Sequence, residues 1–204
     1  MQLYTSIGPN PHVVRMFMAE KNLELPTQTV DLRGGENRRA PYNTDVNRRG
    51  QSPALVLDSG EQLAEITAIC EYLDEFQPEP PLIGSTPEER AMTRMWVRRI
   101  DLGVCEPMAN GFRYSEGLEM FKERIRVLPE ASDGLKAIAA DTLAWLNGEL
   151  ADREFVCGER FTLADILLFC FVTFGNDRGQ PLADSNTAVQ EWYDRVARRP
   201  SASA

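Results

Sequence analysis

The sequence predicts an α/β unit built on a mixed four-stranded sheet, followed by an all-helical bundle. Two observations carry this. Residues 1–76 alternate strand-like and helix-like patterning in the order βαβ, loop, ββα, and no comparable strand run occurs after residue 87. Composition changes at the same place: eight of the 13 prolines lie before residue 82 and all three tryptophans after it, which marks two halves of different character. Between them, QPEPPLIGSTPEER has the proline, glycine and serine content of a short linker. The expected division is residues 1–80, a linker at 81–86, and residues 87–204.

Each element has a local reason. Gln2 to Ser6 is a short β-like run, Ile7 to Pro11 a turn, and Pro11 to Asn22 carries Val14, Phe17 and Met18 at helical spacing. Thr27 to Leu32 is β-branched and strand-like, whereas Arg33 to Gln51 is polar and loop-like, with room for one helical turn. Ala54 to Asp58 and Gln62 to Ala64 flank Ser59-Gly60 as a hairpin. Ile66, Ile69, Cys70 and Leu73 then follow i, i+3, i+4, i+7, a helix over about Glu65 to Phe76. One βαβ unit implies a parallel pair with a right-handed crossover, and the hairpin adds antiparallel strands, so the sheet is mixed.

In the second half, Thr86 with Pro87 at the first helical position starts a long helix past Asp101, with Met92, Trp96, Ile100 and Gly103 on one face. Leu128 to Gly134 reads as an interhelix turn, and Leu135, Ala139, Leu143, Leu146 and Leu150 define another helix. In RFTLADILLFCFVTF, Thr162 reads as N-cap, Asp165 as the carboxylate of a capping box, and Phe161 with Ile166 as a hydrophobic staple. Apolar residues then occupy every face, which places this short helix at the centre of a bundle.

Composition excludes several classes of function. With 43 % hydrophobic and 26 % charged residues, the chain has the proportions of a globular protein and not of a disordered one. A net charge of −9 sets a field against phosphate backbones, so nucleic-acid binding is not expected. MQLYTSIGPN has neither a basic region nor an apolar run of the signal-peptide type, and the longest apolar run, Ile166 to Phe174, is far short of a membrane span. The expectation is a cytoplasmic protein without membrane contact. Cys70, Cys105, Cys157 and Cys170 are widely spaced with no CxxC, and His12 is the single histidine, so no metal site is expected and the thiols read as reduced and mostly buried.

Three segments, in order, resemble the glutathione S-transferase superfamily: YTSIGPNPHVVRMFMAEKNL its first strand and helix, GQSPALVLDSGEQLAEITAICEYLDE its proline-strand-hairpin-helix segment, and FTLADILLF its capping box. The resemblance covers essentially the whole chain. It implies a thioredoxin-like N-terminal domain that binds glutathione, a helical domain contributing a pocket for a hydrophobic electrophile, and a homodimer. The implied activity is transfer of glutathione to electrophiles. Glutathione-dependent reduction of disulfides or peroxides, and a non-catalytic ligand- or partner-binding module of the same fold, are the alternatives.

The resemblance also implies roles for particular residues. Pro53 corresponds to the family's cis proline, and Ser52 before it offers main-chain N–H and C=O to the cysteinyl part of glutathione in the manner of an added strand; a trans proline opening a strand is the structural alternative. Glu65, Ile66 and Thr67 open a helix whose free N–H groups suit the γ-glutamyl carboxylate, with the Glu65 charge facing the ammonium; a helix-start acid is the alternative. Ile66 departs from the family's usual Ser or Thr.

For the contact to the sulfur, the candidates are Asn10, then Ser6, then Tyr4. The PNPH stretch is similar to the nu-class pattern, and Asn10 stands where beta-class members carry cysteine, which argues against a protein mixed disulfide. Asn10 before Pro11 is equally an N-cap. His12 and one or two of Arg33, Arg38, Arg39, Arg48 and Arg49 are further candidates for ligand contact, the arginines for the glycyl carboxylate. Cys105, Met108 and Phe112, with Tyr114, fall where the family's electrophile pocket lies, and bundle core is the alternative reading.

Overall fold

A computed structural model describes residues 1–204, which form two compact units: Met1–Leu82 with Ser203–Ala204, and Ile83–Ala202. Leu82 and Ile83, at which the two units divide, are both buried.

The first unit runs β1 (Gln2–Thr5), α1 (Pro9–Glu20), β2 (Thr27–Thr29), β3 (Ala54–Val56), β4 (Gln62–Leu63) and α2 (Ile66–Phe76). The sheet order is β2-β1-β3-β4, with β1 and β2 parallel and the other two pairs antiparallel. β2 is shorter than its β-branched run, although the Val30 N–H still donates to the Thr5 carbonyl at 2.8 Å. Strand alternation splits the core in two. Leu3 and Leu55, paired across β1 and β3, are fully buried, as are Val13, Val14, Met16 and Phe17 of α1 and Ile69, Cys70 and Leu73 of α2. A second cluster joins Ala54 and Val30 to Tyr42 and Val46, with Tyr4 and Val56 packed against it. The stretch Arg33 to Gln51 is therefore not simply a solvated loop. It holds a short 3₁₀ turn at Glu36–Arg38 and a wide turn at Tyr42–Val46, and its two apolar side chains join this second cluster.

The second unit comprises α3 (Pro87–Ile100), a wide turn at Asp101–Cys105, α4 (Glu106–Arg113), α5 (Leu118–Phe121), α6 (Ser132–Leu150), α7 (Leu163–Asp177) and α8 (Thr187–Ala197). Thr86 caps α3 by accepting from the Glu89 N–H. The buried stripe of α3 is Thr93, Trp96, Val97 and Ile100, and Met92 is 47 % exposed, so the inward face is rotated one residue from the spacing read in the sequence. The supposed turn at Leu128 to Gly134 is only half a turn: α6 already begins at Ser132, after a 3₁₀ turn at Pro129–Ala131. α7 is buried from Leu163 through Val172, as a helix apolar on all faces must be. Its capping box is formed: Thr162 Oγ1 accepts from the Ala164 N–H at 3.2 Å, and Asp165 accepts from the Thr162 N–H at 3.0 Å. Asp165 also takes the Val156 N–H and the Trp192 indole N–H, which ties α7 to the preceding turn and to α8. No helix is long and apolar enough to cross a membrane.

Candidate functional site

The strand registers assemble the site. β1 pairs with β3 so that Tyr4 faces Ala54, and β3 with β4 so that Leu55 faces Leu63; continued one or two residues, these ladders set Ser6 opposite Ser52 and Pro53 opposite Glu65. The end of β1, the start of β3 and the end of β4 therefore share one end of the sheet. α1 begins three residues after β1 and α2 two residues after β4, so the electropositive starts of both helices fall at that same end.

Ser6 is buried, and its hydroxyl donates to Ser52 Oγ at 2.9 Å. The Ser52–Pro53 peptide is cis. Thus two residues 46 apart in the chain meet, as do the segments on which they lie. Arg15, which the sequence patterning did not single out, fastens the end of β1 to α1: its Nη1 donates to Thr5 Oγ1 and to the Ser6 carbonyl, both at 3.1 Å.

α1 starts at Pro9, after Gly8 with φ +113°, and has no side-chain cap. Asn10 is thus the second helical residue and not the N-cap that its position before Pro11 suggests. The consequence is chemical. Pro9 and Pro11 have no N–H, and the His12 N–H bonds the Gly8 carbonyl at 3.3 Å, so Asn10 alone presents a main-chain N–H in the first three positions of α1. Its half-buried side-chain amide lies at the same place.

Glu65 is exposed and occupies the N-cap of α2 with φ +68°, a left-handed conformation that costs a non-glycine residue on the order of 1 kcal/mol. Its carbonyl accepts from the Ile69 N–H at 3.0 Å, which leaves the N–H groups of Ile66, Thr67 and Ala68 unpaired at the helix start. Thr67, the next residue after Ile66, carries a hydroxyl.

Tyr4 is not drawn into this group. Its ring stands edge-on to Tyr42 at 5.9 Å and its hydroxyl reaches back to Gln2 Oε1 at 3.5 Å, toward the start of β1. Strand alternation gives Tyr4 the same face as Ser6, so it is the backward reach of its hydroxyl that sets it apart. Among the loop arginines, Arg38 donates to the Arg49 carbonyl and Arg39 to the Gly34 carbonyl, while Arg33, Arg48 and Arg49 are exposed. These contacts hold the loop itself.

In the second unit, Cys105 and Met108 are 2 % and 1 % exposed. Met108 packs on α7, where a Cβ at Gly175 would come within 2.9 Å of its sulfur, and burial pushes the Cys105 thiol well up. Both are bundle core and do not line an open pocket. Phe112 is half-buried between the rings of Phe121 and Phe174, at 6.3 and 5.1 Å. The exposed apolar residue at the sheet end is instead Ile7, 55 % exposed in the turn between β1 and α1.

Family models match parts of both units. The N-terminal domain of glutathione S-transferases matches residues 7–75 and the C-terminal domain matches residues 129–200. The chain is 31 % identical to Glutathione S-transferase 2 of Saccharomyces cerevisiae, with 97 % of this chain and 85 % of that protein covered. It is 40 % identical over 170 residues to the maleylacetoacetate isomerase of Pseudomonas aeruginosa, covering 82 % and 78 %. A crystal structure of a glutathione S-transferase domain-containing protein from Marinobacter aquaeolei superposes with a TM-score of 0.92 at 33 % identity, over 99 % and 100 % of the two chains. Two matching family domains, a relative 31 % identical over nearly the whole chain and a solved structure of the same fold agree, and the chain belongs to the glutathione S-transferase family.

Proposed function

We propose that this chain is a glutathione transferase whose N-terminal unit, residues 1–80, binds glutathione and favours its thiolate for attack on hydrophobic electrophiles. The observation that carries the reading is the convergence of Ser6, Ser52-Pro53 and Glu65-Ile66 with two helix starts at one end of the sheet. The donor set fits the tripeptide. The free N–H groups of Ile66 and Thr67 suit the γ-glutamyl carboxylate, the Glu65 carboxylate its ammonium, and the Ser52 main chain the cysteinyl peptide.

Asn10 is assigned the sulfur. A free thiol with a pKa of about 8.5 is only about 3 % ionised at pH 7, and lowering that pKa by about one unit raises the fraction to about a quarter. A helix start is worth about that much, and both the main-chain N–H and the side-chain amide of Asn10 stand there. Ser6, whose proton is engaged by Ser52, contributes less. Ile7 supplies apolar surface for the electrophile.

Retention on immobilised glutathione, with displacement by millimolar free ligand, tests binding, and no retention sinks the reading. Asn10→Ala is expected to raise the pKa in the pH–rate profile by about 0.5–1 unit, the size of one charge-assisted hydrogen bond; an unchanged profile removes Asn10 from the mechanism. Ser6→Ala is expected to shift it less.

A second reading, glutathione-dependent reduction of small disulfides or peroxides, is supported by the same Asn10 in its nu-class-like PNPH stretch. Turnover of an aryl halide against turnover of a glutathione-capped disulfide separates the two. A non-catalytic role has one support: the chain is also 28 % identical to FtsZ-localized protein A of Caulobacter vibrioides, over 95 % of its length.

A further inference from the structure

Tyr42 lies in the stretch that reads as a polar loop, yet it is only 3 % exposed, its ring packed among Val30, Val46 and Ala54. Its hydroxyl donates to the Gln51 carbonyl at 2.7 Å, immediately before Ser52. Asn47 Nδ2 donates to the same carbonyl at 3.0 Å. Ser52 Oγ, on the residue after Gln51, accepts from Ser6 Oγ at 2.9 Å. Two sets of bonds thus hold the stretch that leads into the cis Ser52–Pro53 peptide: Tyr42 and Asn47 hold the Gln51 carbonyl, and Ser6 holds the Ser52 hydroxyl. Burial pushes the Tyr42 pKa up to about 12, so the phenol stays a donor to that carbonyl at neutral pH.

We propose that Tyr42 is a positioning residue for the thiol site: its hydroxyl anchors the Gln51 carbonyl, so that the Ser52–Pro53 main chain is held ready for a peptide-like ligand. The proposal rests on the glutathione reading above and deepens it. Two consequences are specific. Ser6 is engaged with Ser52 Oγ and the Ile7 carbonyl, which leaves most of the task at the sulfur to Asn10. And the Tyr42 ring, whose packing is independent of the hydroxyl, serves the fold while the oxygen serves the ligand.

The test is a double-mutant cycle on the full chain with Tyr42→Phe, Ser52→Ala and the pair, reading KM for glutathione, kcat and the thermal midpoint. Each single substitution is expected to raise KM about 3–10-fold, as for one lost hydrogen bond, with kcat within about twofold of wild type. Because both loosen the same Gln51–Ser52 segment, the double variant is expected to be no worse than the worse single. Effects that multiply, or a Tyr42→Phe protein with a lowered midpoint and the wild-type KM, overturn the proposal. If Tyr42→Phe does not fold, Asn47→Ala, which removes the second donor to the same carbonyl, runs the cycle against Ser52→Ala, with multiplying effects again decisive against it. A wild type that does not bind glutathione overturns the functional reading and this one with it. A wild type that binds glutathione alongside an unaffected Tyr42→Phe overturns this one alone.

Discussion

Lys21 closes α1 with its ammonium buried: it donates to Asp74 Oδ1 of α2 at 2.7 Å and to the Pro80 carbonyl at 2.6 Å, and the same carboxylate oxygen takes the Leu82 N–H at 3.1 Å. Removing one partner strands the other charge. Asp74→Ala is therefore expected to cost about 3–5 kcal/mol in denaturant unfolding, and the pair Lys21→Met with Asp74→Leu to recover most of it; a loss below about 1 kcal/mol for the single variant would refute the buried-pair account. Asp165 poses a different problem. Burial outweighs its four hydrogen-bond donors and raises its pKa from 3.8 to about 6. The folded state then holds this proton at pH values where the unfolded chain has released it. The group favours folding fully below about pH 4, and that contribution fades as pH rises through about 6, a loss on the order of 3 kcal/mol. Urea unfolding between pH 4 and 7 is expected to show this slope in wild type and a flatter one in Asp165→Asn. At the sheet end, Ile7→Ser is expected to raise KM for an apolar electrophile while leaving glutathione binding in place, which steady-state kinetics with each substrate varied in turn will show.

Among the elements, α7 was legible from sequence because its start is written locally. Thr162, Asp165 and the apolar run fall within a few residues, and the capping bonds they make depend on nothing distant. Thr162→Ala is expected to cost about 1 kcal/mol in thermal or chemical unfolding by freeing the Ala164 N–H. The same kind of reading misplaced the start of α1. Asn10 before Pro11 suggests a cap, but Pro9 also fits a first helical position, and Gly8 at φ +113° lets the chain enter the helix one residue earlier than a side-chain cap allows. That shift turns Asn10 from a cap into the one N–H donor of the first turn. α8 was not anticipated because it has no side-chain cap to announce it; its buried Val189, Trp192 and Val196 acquire meaning through α6 and α7. In the loop before β3, Tyr42 and Val46 are too sparse to form a pattern, and only their packing with Ala54 and Val30 reveals them as core.

At the scale of the whole molecule, several large apolar side chains stay exposed, among them Phe76 on α2 and Met92, Met95 and Leu102 on α3 and the turn that follows it. Family membership points to a homodimer, for which sedimentation at micromolar concentration is expected to give twice the 23.0 kDa of one chain; a monomer under those conditions rejects it. The net charge of −9 bears on nucleic acid but not on the ligand, since glutathione is itself anionic. Attraction has to come from oriented N–H groups at two helix starts, against the overall field. Hydrophobic period, turn chemistry and capping motifs are short-range, so the sequence alone determined the order of elements in the first unit, the mixed sheet, the central helix of the second and the segments bearing Ser52-Pro53 and Glu65-Ile66. Strand register and burial are long-range. They brought Ser6 against Ser52, laid the Tyr4 ring against Tyr42, put Cys105 and Met108 into the bundle core and set Tyr42 against the Gln51 carbonyl, because which face of an element is inward depends on what the rest of the chain lays against it.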